Sequence, residues 1–83
     1  MLMNYKIEFR NKASKFLKKQ NIEQQKRMLK AIYKIPNGDI IRLVGYEGLY
    51  RLRVGDVRII YSINSDKIIV FNIGNRGDIY KYL

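Results

Sequence analysis

Apolar and polar positions change period several times along the 83-residue chain, and each change marks an element. Tyr5-Lys6-Ile7-Glu8-Phe9 alternates apolar and charged residues, the period of a half-buried strand. From Asn11 the spacing becomes helical. Ala13, Phe16 and Leu17 fall at i, i+3 and i+4 with lysines between them, which predicts a short amphipathic helix over 12–19. Asn21 fits an N-cap, with Gln24 three residues on as its capping-box partner. Ile22, Met28, Leu29 and Ile32 carry a second helical stripe to Ile35, where Pro36-Asn37-Gly38 stops it. The remainder reads as strands over 39–44, 49–54, 57–63 and 68–73, then a loop over 74–78 and a tail over 79–83. The order β-α-α-β-β-β-β predicts an α+β fold in one domain spanning 1–83. An N-terminal strand and a helical hairpin precede a mainly antiparallel sheet, and both helices cover one face of it.

Gly55-Asp56 is a two-residue hairpin turn, and it fixes a register. Val54 faces Val57, Arg53 faces Arg58, Leu52 faces Ile59 and Arg51 faces Ile60. Successive residues alternate faces, so Leu52, Val54, Val57 and Ile59 share a buried face while Arg51, Arg53 and Arg58 share the other. Arg53 opposite Arg58 is a destabilising like-charge pair. An anion bound there accounts for it, and so does a solvated outer face with the arginines splayed into water. The next turn is less determined. A three-residue loop Ser65-Asp66-Lys67 pairs Ile63 with Ile69, Tyr61 with Phe71 and Ile59 with Ile73. That register puts Ile69, Phe71 and Ile73 in the core and Asn72 on the arginine face, with Arg76 leaving the strand toward the same side and Tyr80 following. A two-residue loop reverses these faces.

Composition narrows the chemistry. The chain carries 17 Lys+Arg against 7 Asp+Glu, a net charge of +10, with no histidine and no cysteine. Disulfides, thiolate nucleophiles, Cys- or His-based metal sites, Ser-His-Asp triads and two-histidine ribonuclease chemistry are thereby excluded, and no metal or other cofactor is expected. No apolar run approaches the roughly 20 residues of a membrane span. The first residues lack the apolar core of a signal peptide. The expectation is a cytoplasmic protein without membrane contact. A lysine stripe beside an apolar stripe also suits a membrane-surface helix, but the strands that follow need a cover. A chain this short has a small core and little room for a deep pocket. The excess positive charge points to a polyanion. Residues 1–34 hold ten basic side chains, eight of them lysine, against Glu8 and Glu23. Arginine dominates the rest, and it suits bidentate phosphate contact better than lysine does.

RNA cleavage by attack of a 2′-hydroxyl on the adjacent phosphate needs a proton acceptor, charge stabilisation on the phosphorane and a proton donor to the leaving 5′-oxygen. Arginine supplies stabilisation but shuttles protons poorly, with a pKa above about 12. Tyrosine titrates near about 10, and neighbouring cations lower that value. Tyr80 is therefore the best acid/base candidate, with Glu47 and Asp78 secondary. Tyr50, Tyr61 and Phe71 read as core. Tyr46, beside Glu47-Gly48, is a loop aromatic that suits stacking on a base.

The chain resembles the RelE/ParE superfamily of bacterial toxin–antitoxin toxins over nearly its whole length. The most specific stretches are Leu49-Tyr50-Arg51-Leu52-Arg53-Val54-Gly55-Asp56-Val57-Arg58-Ile59-Ile60-Tyr61 and Gly74-Asn75-Arg76-Gly77-Asp78-Ile79-Tyr80. The RelE branch cleaves mRNA in the ribosomal A site. The resemblance implies that Arg58 and Arg76 match its phosphate-stabilising arginines and that Tyr80 matches its C-terminal tyrosine, which orients or activates the 2′-hydroxyl. Arg51 and Arg53 stand where RelE has two lysines, so phosphate binding suits them better than proton transfer. Many relatives have His-Arg or Lys-Arg where this chain has Asn75-Arg76. Lys15, Lys18 and Lys19 on the first helix suit general attraction to RNA. The implied partners are a cognate acidic antitoxin, the ribosome with its 16S rRNA, and mRNA. The ParE branch shares the fold but poisons DNA gyrase without cutting RNA. The joint presence of Arg58, Arg76 and Tyr80 favours RelE. A non-catalytic RNA- or ribosome-binding module is the third reading.

Overall fold

Alternation and helical spacing translate directly into seven elements in a computed structural model, which describes residues 5–75. In chain order they are β1 (Lys6–Phe9), α1 (Asn11–Lys18), α2 (Ile22–Tyr33), β2 (Asp39–Arg42), β3 (Tyr50–Val54), β4 (Val57–Asn64) and β5 (Lys67–Asn75). The strands form one mixed sheet in the order β1-β5-β4-β3-β2. β1 runs parallel to β5, and every other pairing is antiparallel. The α-hairpin between β1 and β2 carries the chain from one edge of the sheet to the other.

Both helices cover the same face. Ala13 of α1 and Met28 and Ile32 of α2 pack in one buried cluster with Leu52, Val54, Val57, Ile59, Ile68, Val70 and Ile73. The Asn21 side chain accepts a hydrogen bond from the Gln24 backbone N–H at 2.8 Å, satisfying a donor that the first turn of α2 leaves open. Ile22 does not join the stripe and is 67% exposed. Six residues separate it from Met28, which at 3.6 residues per turn places it about 120° around the helix. β2 ends at Arg42, short of the expected Val44, which is 96% exposed in the loop that follows.

The β3–β4 register is the expected one, with Arg53 opposite Arg58 and Leu52 opposite Ile59. The β4–β5 register differs near its turn. Ser65 and Asp66 make a two-residue connection, with Asn64 opposite Lys67, Ile63 opposite Ile68 and Tyr61 opposite Val70. Ser65 itself takes the left-handed conformation, at φ 58°. Ile68 and Val70 therefore enter the core, while Ile69 and Phe71 are only half-buried. A bulge at Phe71 then restores the expected pairing, Ile60 with Asn72 and Ile59 with Ile73. Phe71 is thus not a core residue, and the Arg10 guanidinium lies 5.9 Å from its ring centroid.

Candidate RNA-binding face

The sheet face away from the helices carries the arginines. Strand alternation puts Arg51 and Arg53 of β3 on it together with Arg58 and Ile60 of β4, Asn72 of β5 and Asp39 of β2. Asp39 stands opposite Arg53, and its carboxylate bridges two guanidiniums. Nη2 of Arg51 donates to Oδ1 at 3.1 Å, and Nε of Arg53 lies 2.9 Å from Oδ2. Sequence reasoning missed this counter-ion, because nothing in the four residues of β2 announces which residues of β3 they meet.

The three arginines differ in availability. The Arg51 side chain is only 15% exposed, with its Nε buried and without a hydrogen-bond partner. Ile60 opposite it is fully buried although it lies outside the main core cluster. Arg53 is 54% exposed. Nη1 of Arg58 donates to the Gly55 carbonyl at 3.0 Å, which folds its guanidinium back along the turn. The last described residues of β5 lie beside this cluster, Gly74 opposite Arg58 and Asn75 opposite Val57. Arg76 is next in sequence. Arg76, Asp78 and Tyr80 lie outside the described residues.

Lys15, Lys18 and Lys19 are all exposed at the end of α1. Lys15 and Lys19 flank a shallow cleft whose walls include Phe16, Asn72 and Ile73, so the helical lysines and the arginines occupy different surfaces that share β5 as a border. Tyr46 is 41% exposed beside Arg42 and Glu47, in the loop at the far end of β2 and β3 from Arg53 and Asp39. Tyr50 and Tyr61 stack with ring centroids 5.5 Å apart. Burial, with the neighbouring Tyr50 and Tyr5 phenols adding to it, pushes the Tyr61 hydroxyl up to about 12 and makes it unsuited to proton transfer near neutrality. Among the described residues, no helix is long and apolar enough to cross a membrane.

This architecture has known counterparts. A family model described as the ParE toxin of the type II toxin–antitoxin system parDE matches residues 7–80. A curated relative, Toxin RelE3 of Methanocaldococcus jannaschii, is 43% identical over 44 residues, which are 53% of this chain and 50% of the relative. The chain thus spans about half the length of the curated relative it matches. Among solved structures, the archaeal RelE–RelB complex from Pyrococcus horikoshii OT3 superposes with a TM-score of 0.73 at 29% identity, covering 92% of this chain and 99% of that one. The RelB–RelE antitoxin–toxin complex from Methanococcus jannaschii gives 0.73 at 30% identity, covering 92% and 98%. Isolated RelE from E. coli gives 0.72 at 18% identity over 94% and 93%, a likeness of fold.

Proposed function

The chain belongs to the RelE/ParE superfamily of toxins from type II toxin–antitoxin systems, and we propose that it is a RelE-type endoribonuclease that cuts mRNA in the ribosomal A site. The observation that carries this reading is the Arg53–Arg58 cross-strand pair. The two residues stand opposite each other in register, Arg53 held by Asp39 and Arg58 turned back onto the Gly55 carbonyl, and a phosphate lying across the pair suits both guanidiniums.

The ribosome supplies the mRNA in an extended form, and the sheet face binds its backbone. Arg53, with Arg51 behind it, holds the substrate phosphate. The 2′-hydroxyl gives up its proton and its oxygen attacks phosphorus, the bond to the 5′-oxygen breaks as that oxygen takes up a proton from solvent, and the products are a 2′,3′-cyclic phosphate and a 5′-hydroxyl. Arg58 and Arg76 stabilise the negative charge that develops on the phosphorane. Tyr80 orients the 2′-hydroxyl and takes part in its proton transfer. Lys15, Lys18 and Lys19 add long-range attraction to 16S rRNA. The whole sequence, 1–83, acts as one toxin domain, and its protein partner is an acidic antitoxin, as the RelE–RelB complexes of the archaeal relatives suggest.

The matching family model is named for ParE, and this favours gyrase poisoning as the second reading. One pair of assays separates them. Added to programmed ribosomes, the chain should cut mRNA at A-site codons, and Tyr80→Phe or Arg76→Ala should abolish the cut. Blocked gyrase supercoiling with intact mRNA would establish the ParE reading instead.

A further inference from the structure

We propose that the cleft between α2 and β3 is a docking site for an acidic segment of the antitoxin, one that seats an aliphatic side chain between flanking carboxylates. The proposal rests on the toxin–antitoxin reading for the identity of that partner. The cleft holds about 370 Å³. One wall is a single face of α2, because Arg27, Lys30, Ala31 and Lys34 fall at helical spacing. The other is β3, from Leu52 through Val54 to the Gly55 turn.

Its floor is apolar. Leu52 and Val54 are core residues, and Ala31 packs against the cluster that contains them. Its rim is cationic along α2, where Arg27, Lys30 and Lys34 line it. Among the described residues of the lining, Asp39 is the only acid, and its two oxygens are engaged with Arg51 and Arg53. Among the described residues, Arg27, Lys30 and Lys34 form no ion pair. Gly55 shapes the mouth. A Cβ there would meet Nη2 of Arg27 at 3.1 Å, so the missing side chain leaves room for the guanidinium to lie against the turn.

An apolar floor inside a cationic rim selects its occupant. Single-stranded RNA binds through aromatic platforms for its bases, and among the described residues none of those lining this cleft is aromatic. A peptide with aliphatic and acidic side chains matches both layers, burying the first and pairing the second. Arg53 contributes to the lining of the cleft, while strand alternation carries its guanidinium to the opposite face of the sheet, where it bonds Asp39.

The test is amide chemical-shift mapping on the full chain, labelled with nitrogen-15. The probe is a short peptide of glutamates with leucine at every fourth position. Its glutamine counterpart and a single-stranded RNA oligonucleotide are the comparisons. The glutamate peptide should shift the amides of Ala31, Val54 and Gly55, and the glutamine peptide should leave them unmoved. Lys30→Glu with Lys34→Glu should weaken binding at least tenfold while the circular dichroism spectrum stays unchanged. Should that variant unfold, the wild-type map and the glutamine comparison decide. The proposal fails if the glutamate peptide maps elsewhere, if charge makes no difference, or if RNA takes these amides in preference. Cleavage of mRNA without peptide binding removes this proposal and leaves the ribonuclease reading standing. Peptide binding without cleavage does the reverse.

Discussion

Arg53 and Arg58 stand directly opposite each other across the β3–β4 hairpin, and the Asp39 carboxylate is bonded to Arg53 while Arg58 turns back onto the Gly55 carbonyl. Opposed cations of this kind cost a few tenths of a kcal/mol to about 1 kcal/mol. Arg58→Thr removes the repulsion and loses one exposed hydrogen bond of similar worth. Its stability in urea should stay within about 0.5 kcal/mol of wild type, while mRNA cleavage on programmed ribosomes is lost. A variant that loses both together would make Arg58 a structural residue.

Tyr61 predicts a limit to alkaline stability. Its hydroxyl titrates near 10 when unfolded and is pushed up to about 12 in the fold, chiefly by burial. The unfolded chain therefore releases this proton first. The contribution is fully present below pH 10 and is lost as the pH rises from 10 to 12. Two pH units correspond to roughly 2–3 kcal/mol. Urea titrations between pH 9 and pH 12 should show the decline, and Tyr61→Phe should flatten it.

Gly55 sits at φ 61°, where an L side chain is strained. Gly55→Ala should cost about 1 kcal/mol. Gly55→Asn, which tolerates the left-handed region better, should cost less. The nearby Arg27 guanidinium is the far end of a flexible side chain and can move away. Equal losses for Ala and Asn would shift the cause from backbone conformation to crowding.

Ile59 is fully buried between Leu52 and Ile73 at the middle of the sheet. Ile59→Ala should destabilise by about 2–5 kcal/mol, the range for a large-to-small change in a packed core. Asn21→Ala removes only the α2 cap and should cost about 1 kcal/mol. Thermal unfolding of the two variants should keep that order.

The sequence was most legible where a single turn sets the register. Gly55-Asp56 admits one short hairpin, so the faces of residues 51–60 follow from counting. Asn64-Ser65-Asp66-Lys67 contains no glycine, and Ser65 adopts the left-handed conformation usually given to one. Nothing in its composition distinguishes a two-residue from a three-residue connection, so spacing alone does not keep Phe71 out of the core. Both helices were readable from their spacing, apart from Ile22, whose position in the stripe ignored the angle to Met28. The Asp39 bridge was not readable, since it depends on how a four-residue edge strand meets β3. Arg51 looked equivalent to Arg53 in the alternation. Its burial comes from its neighbours on adjoining strands, which the spacing of one strand does not contain.

The bulge at Phe71 behaves like a dislocation in a crystal lattice. One surplus residue can lie at the turn, as a third loop residue, or within the strand, as it does here. Ile59 meets Ile73 and Ile60 meets Asn72 in either arrangement. Sliding the defect toward the turn exchanges Ile68 and Val70 for Ile69 and Phe71 against the helices, and the stretch from Asn72 to Asn75 keeps its place. A change of one residue in the length of this turn is thereby absorbed before it reaches the strand end that leads into Arg76.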